Sequence, residues 1–278
     1  MTAQEIVAQL EPLGTEGYRR ILRNHGVPEP MFGVKVEELK KLQKAIKKDY
    51  RLALDLYETG IYDAIYLASL IADESKMTKE DLRGWLGKAT SDAAAEYAVA
   101  WVAADGPHGW ELAQEWIDSP DERSAVAGWG TLSGWVAVKP DSELDIQALR
   151  DLLQRVQATV HDQPNRVRYK MVGFVIALGS YVQELMEEAL RAAEEIGTVQ
   201  VDMGKPPAKS PPPRTTSARW QAWAERARSE KWRGVDTCRR ARHLGVLLRN
   251  QVKPRTDLSA LGSVGKLDPS EDRSPRKL

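Results

Sequence analysis

The sequence predicts an all-α protein built from antiparallel helix pairs stacked in series. Apolar residues recur at helical spacing almost throughout, and turn-forming breaks interrupt them at short intervals. No convincing strand alternation precedes residue 198. About a dozen helices of roughly 10–17 residues satisfy this pattern.

After the break "GVPEP", Leu39, Leu42 and Ile46 form one apolar stripe, and Lys40, Lys41, Lys44, Lys47 and Lys48 lie on its polar side. Beyond "ETG", Ala64, Leu67, Ala68 and Ile71 form another. Thr78, after "ADESKM", stands where an N-cap is needed before "KEDL". The alanine-rich "SDAAAEYAVAWVAAD" at 91–105 should be helical, with Asp92 stacked on Glu96 and Tyr97 on Trp101. Breaks at "ADGPHG", "DSPDE", "VKPDSE" and "HDQPN" bound further helices; Leu149, Leu152, Leu153, Val156 and Val160 stripe one of them. Such pairs suggest an α-solenoid of HEAT-like repeats, and a compact irregular bundle is the alternative that periodicity leaves open.

Composition narrows the function classes. With 42% hydrophobic and 29% charged residues, the profile is that of a soluble globular protein. No apolar run approaches a bilayer span, and "MTAQEIVAQLEPLG" lacks the basic start and apolar core of a signal peptide, so a cytoplasmic location is expected. Cys238 is alone, and His25, His108, His161 and His243 are scattered, so no metal site is expected. P-loop, GxGxxG and GxSxG patterns are absent. The zero net charge hides an asymmetry: from Lys205 onward there are 18 Lys and Arg against 7 Asp and Glu, and before it 22 against 33. Any polyanion-binding surface on the acidic body must be local.

Residues 26–74, "GVPEPMFGVKVEELKKLQKAIKKDYRLALDLYETGIYDAIYLASLIAD", resemble the N-terminal part of the DNA alkylation repair (AlkD-like) family. The likeness continues through "EYAVAWVAADGPHGWELAQEWIDS" and "PNRVRYKMVGFVIALGSYV" to "IGTVQVDMG", covering about residues 1–204. It implies a HEAT-like solenoid whose concave face cradles duplex DNA. Characterised members of the family are glycosylases for cationic N3- and N7-alkylated purines. Such a base is already a good leaving group, so one carboxylate and aromatic faces suffice and no cofactor is expected.

Carried across by residue, the family's catalytic carboxylate falls on Glu96. The Trp four positions earlier is Asp92 here, and the second aromatic falls on Phe174. An expected Arg is unmatched; Arg123 lies about a turn early and Val126 is nearest. The plainer readings are that Asp92 starts a helix, Glu96 is solvated, and Tyr97 and Trp101 are core, as are Trp85, Trp110, Trp116, Trp129 and Trp135. Arg166, Arg168 and Lys170 are the candidate phosphate contacts, with Tyr169 and Trp101 as further DNA-binding candidates and the lysine helix as a second basic group. Duplex DNA, alkylated, is the expected partner of a monomer acting in alkylation repair. The alternative is a non-catalytic DNA-binding or protein-scaffold module.

After "VDMG" the text changes to "KPPAKSPPPRTTSARW". The family continues here with a string like Thr-Ala-Cys-Lys-Val-Pro. Written as ACC GCC TGC AAA GTC CCC and read one base later, that gives Pro-Pro-Ala-Lys-Ser-Pro, the string at 206–211. Residues 205–278 are therefore read as either a frame-slipped segment or a disordered basic Pro/Arg-rich tail, separate from the domain 1–204.

Overall fold

The computed structural model describes residues 1–202 and the strand 252–254. In chain order the helices are α1 (Ala3–Leu10), α2 (Glu16–Asn24), α3 (Val36–Ile46), α4 (Tyr50–Tyr57), α5 (Tyr62–Ile71) and α6 (Lys79–Gly87). There follow α7 (Asp92–Ala94), a π-helical segment (Ala95–Val99) and α8 (Ala100–Asp105), which run on as one helix. Then come α9 (Gly109–Ile117), α10 (Glu122–Val138), α11 (Ile146–Thr159), α12 (Asn165–Tyr181) and α13 (Met186–Ile196). Side chains that the sequence supplies start many of them. Thr2 and Thr78 close capping boxes with Glu5 and Asp81, and Thr15, Asp49, Asp121 and Asp145 cap α2, α4, α10 and α11.

These helices form two rows. Helices α4 and α5, α9 and α10, and α12 and α13 pack as hairpins. One row runs α4, α6, α9, α11, α13. Tyr57 stacks on Trp85 at 4.2 Å and donates to the Trp85 carbonyl, and Arg83 meets Glu115, Arg155 meets Asp118 and Arg150 meets Glu188. The second row runs α5, the α7–α8 helix, α10, α12. One buried apolar cluster extends from Ala3 to Ala127 and another from Ala113 to Val201; they meet at α9 and α10. Glycine makes that meeting close, because a Cβ on Gly128 would stand 2.7 Å from the Ile117 backbone nitrogen. Among the tryptophans expected in the core, Trp85, Trp116 and Trp129 are buried, and Trp110 and Trp135 are only partly so.

The "FGV" segment is held by one carboxylate. Asp63, fully buried in α5, accepts the backbone N–H groups of Phe32, Gly33 and Val34 at 2.6, 3.3 and 2.7 Å. Gly33 adopts φ +77°, and a Cβ there would strike Arg19 and the Thr15 carbonyl, so the loop fits only as glycine. The loop thereby seats α2 against the second row, where Tyr18 packs with Tyr62, Tyr66 and Tyr97.

After α13, β1 (Val199–Val201) pairs in parallel with β2 (Val252–Pro254), Val199 facing Val252. Apart from that strand, the frame-slipped or disordered segment read at 205–278 lies outside the described residues. Among the described residues no helix is long and apolar enough to cross a membrane.

Candidate nucleic-acid interface

The second row brings most of the candidate residues together. Asp92 and Glu96 stand one turn apart on the α7–α8 helix, and Arg166 and Lys170 stand one turn apart on α12. The two pairs meet across the start of α10. Arg166 Nε lies 3.4 Å from Asp92 Oδ2, and Lys170 Nζ lies 3.0 Å from Glu96 Oε2. Arg123, on the first turn of α10, adds a third cation: its Nε is 3.6 Å from Asp92 Oδ1, and its Nη1 donates to the Ala89 carbonyl at 2.8 Å. The Arg166 backbone N–H donates to Glu122 at 2.9 Å.

Burial divides this lattice into an inner and an outer rung. Glu96 is 3% exposed, against the expectation of a solvated carboxylate. Its Oε1 is buried with no hydrogen-bond partner among the described residues. Asp92 and Arg123 remain accessible, with side chains 37% and 41% exposed. Burial works against the Arg166 charge, but Glu96 and Asp92 outweigh it and hold its pKa above the usual value. Tyr97 is pushed well above the ordinary phenol value by burial first and by the Glu96 charge second.

Aromatic rings continue from the inner rung. Tyr97 meets Trp101 edge-on at 5.2 Å, Trp101 meets Tyr66 at 6.2 Å, and Tyr66 meets Tyr62 at 6.4 Å. Lys170 lies over Tyr97 at 5.6 Å and near Tyr169 at 5.8 Å. Tyr97, Trp101 and Tyr66 are half-buried, so the expected core role of the first two is only partly met.

Several expectations are corrected here. Ser91, not Asp92, caps the helix by accepting from the Ala94 N–H; Asp92 sits at the first helical position and spends its charge on two arginines. Phe174 does not join the others: it is fully buried against Trp129 at 5.4 Å, so it fills the core and presents no face outward. Tyr169 is buried as well, and Arg168 Nε is buried without a hydrogen-bond partner among the described residues. Of the lysines expected on one helix, Lys41 pairs with Glu38 on α3, whereas Lys47 and Lys48 lie beyond the end of α3, where Lys48 pairs with Glu74. Sequence reasoning passed over Tyr62 and Tyr66 as site residues and set Arg123 aside as lying about a turn early. The four-residue spacing of the two tyrosines was the available signal.

Among the described residues no group of His, Cys, Asp or Glu could hold a metal. Residues 6–201 match the model of the family described as "DNA alkylation repair enzyme". The chain belongs to that family. Similar proteins include uncharacterized proteins of Listeria innocua and Listeria monocytogenes, each 30% identical over 76% of this chain and 93% of its own length. A solved structure is 31% identical and superposes with a TM-score of 0.70, covering 84% of this chain and 95% of that one. It is described as "a new family of proteins related to the HEAT-like repeat DNA glycosylases with affinity for branched DNA structures". The two-row helical architecture is thus the HEAT-like repeat fold of this DNA alkylation repair family.

Proposed function

We propose that the protein binds branched DNA along its second helical row and leaves the glycosidic bond intact. The observation that carries this is the state of Glu96. A glycosylase of this kind needs a carboxylate facing the sugar to stabilise a developing positive charge. Glu96 is 3% exposed, and its charge is already matched by Lys170 at 3.0 Å. The position of the second lesion-facing aromatic, Phe174, is spent on the core. The affinity described for the structural neighbour supports DNA that is branched.

Glycosylase action on alkylated purines is the second reading, favoured by one observation: Glu96 Oε1 has no hydrogen-bond donor among the described residues. Two assays on the full chain separate them. Titration of a four-way junction and of a linear duplex with the same sequence is expected to show the tighter binding for the junction. Incubation with duplex carrying N7-methylguanine is expected to release no base above the spontaneous rate. Release that Glu96→Gln abolishes would establish the glycosylase reading instead. Equal affinity for junction and duplex would remove the preference for branches.

A further inference from the structure

The outer rung is built differently from the inner one. Glu96 is buried, and Lys170, with 12% of its side chain exposed, pairs closely with it at 3.0 Å. Asp92 is shared between two guanidiniums, at 3.6 Å from Arg123 and 3.4 Å from Arg166, both longer than a charge-assisted bond of about 2.7–2.9 Å. It is also open to solvent. One loosely held carboxylate therefore occupies the place between two cations that come from different helices, α10 and α12.

We propose that Asp92 is a specificity-determining residue: it stands in for a phosphate between Arg123 and Arg166, and thereby sets the preference for branched over linear DNA. The proposal rests on the DNA-binding reading above. A linear duplex offering one phosphodiester to this place exchanges one anion for another and leaves Asp92 displaced beside it. Little is gained. At a branch the backbones of two arms converge, so separate phosphates can reach Arg123 and Arg166 together and outweigh the lost contact. Glu96 and Lys170 stay paired below, and they fix the spacing of the α7–α8 helix and α12 during the exchange.

Asp92→Asn tests this in the full chain, because Asn keeps the size and removes the charge. With the competing anion gone, affinity for the linear duplex is expected to rise on the order of tenfold and that for a four-way junction about twofold. The preference for the junction then shrinks several-fold. The salt dependence of duplex binding should steepen by about one phosphate contact. A preference and salt slope unchanged from wild type, or affinities that fall together, would overturn the assignment. Helicity and melting temperature show whether the variant folds. Should it not, Arg123→Gln decides, since it is expected to weaken the junction while hardly moving the duplex, and equal loss on both would refute the role. A wild-type protein with no junction preference would refute the underlying DNA reading, which is a separate outcome.

Discussion

Asp63 accepts three consecutive backbone N–H groups, so removing its carboxylate strands three buried donors at once. Asp63→Ala is expected to lower stability by on the order of 3 kcal/mol, read from urea unfolding, with Asp63→Asn losing less. Lys170→Met removes the cation paired with buried Glu96, leaving only the more distant Arg166 charge, and is expected to cost about 3 kcal/mol in the same measurement. A loss below about 1 kcal/mol would mean that Arg166 alone suffices to offset the Glu96 charge. At this scale the sequence showed half of each arrangement. The spacing of Asp92 and Glu96 placed them on one helical side, but their partners on α12 lie over 70 residues away. Nothing local names Arg166 as the partner. "FGV" and "YDA" are equally plain in the chain, but their link is a loop contact across about 30 residues.

Helices here depend on their first turns and on close approach. Hydrogen bonds from the Ser124 hydroxyl and backbone hold the Asp121 carboxyl below the ordinary value, and Arg83 and Arg150 do the same for Glu115 and Glu188. A carboxylate with a depressed folded pKa stabilises above its unfolded value and loses that contribution as pH falls through the folded one. Melting temperature is therefore expected to hold above about pH 5 and decline below about pH 4. Asp121→Ala should cost about 1 kcal/mol at neutral pH and make part of that decline disappear. Glycines on two helices should respond in opposite directions. Gly128→Ala drives a methyl into the backbone of α9 and is expected to destabilise by about 1–3 kcal/mol. Gly84→Ala meets nothing within 4 Å on the exposed side of α6 and is expected to stabilise by up to about 1 kcal/mol. Helix positions were legible because stripes and caps are local signals. Phe174 was misread because a resemblance fixes a position along the chain, whereas helix rotation and the facing Trp129 decide which way it points.

Across the whole molecule, order comes from contacts between helices that are not neighbours in sequence. In the first row, Lys79–Glu111 and Arg83–Glu115 are 32 residues apart, whereas Arg150–Glu188 and Gln157–Glu195 are 38 apart. These exposed pairs contribute little energy individually, but they mark a repeat whose length grows along the chain. That drift hid the repeat from sequence comparison, although its helices were visible one by one. Both apolar clusters converge on α10. Amide hydrogen exchange is therefore expected to be slowest in α10 and α12 and fast in α2, which borders only a small cluster. Fast exchange in α10 would mean that the two halves open independently.

The π-helical segment also has a bearing on phase. Asp92 and Trp101 are nine residues apart, which on an unbroken α-helix puts them on opposite sides, about 180° apart. Between them the Ala100 N–H reaches back to the Ala95 carbonyl, five residues away, so one residue's rotation of about 100° is absorbed. The angle falls to about 80°, and the exchangeable carboxylate and the ring cluster come round toward a common side. Such a helix carries a spare residue. Deleting Ala98 should turn the segment into ordinary α-helix and keep that angle, whereas deleting Ala127 from α10 rotates everything beyond it by about 100°. Melting curves of the two deletions are expected to show the first folded and the second collapsed, because only the first of them removes a residue without changing the phase of its helix.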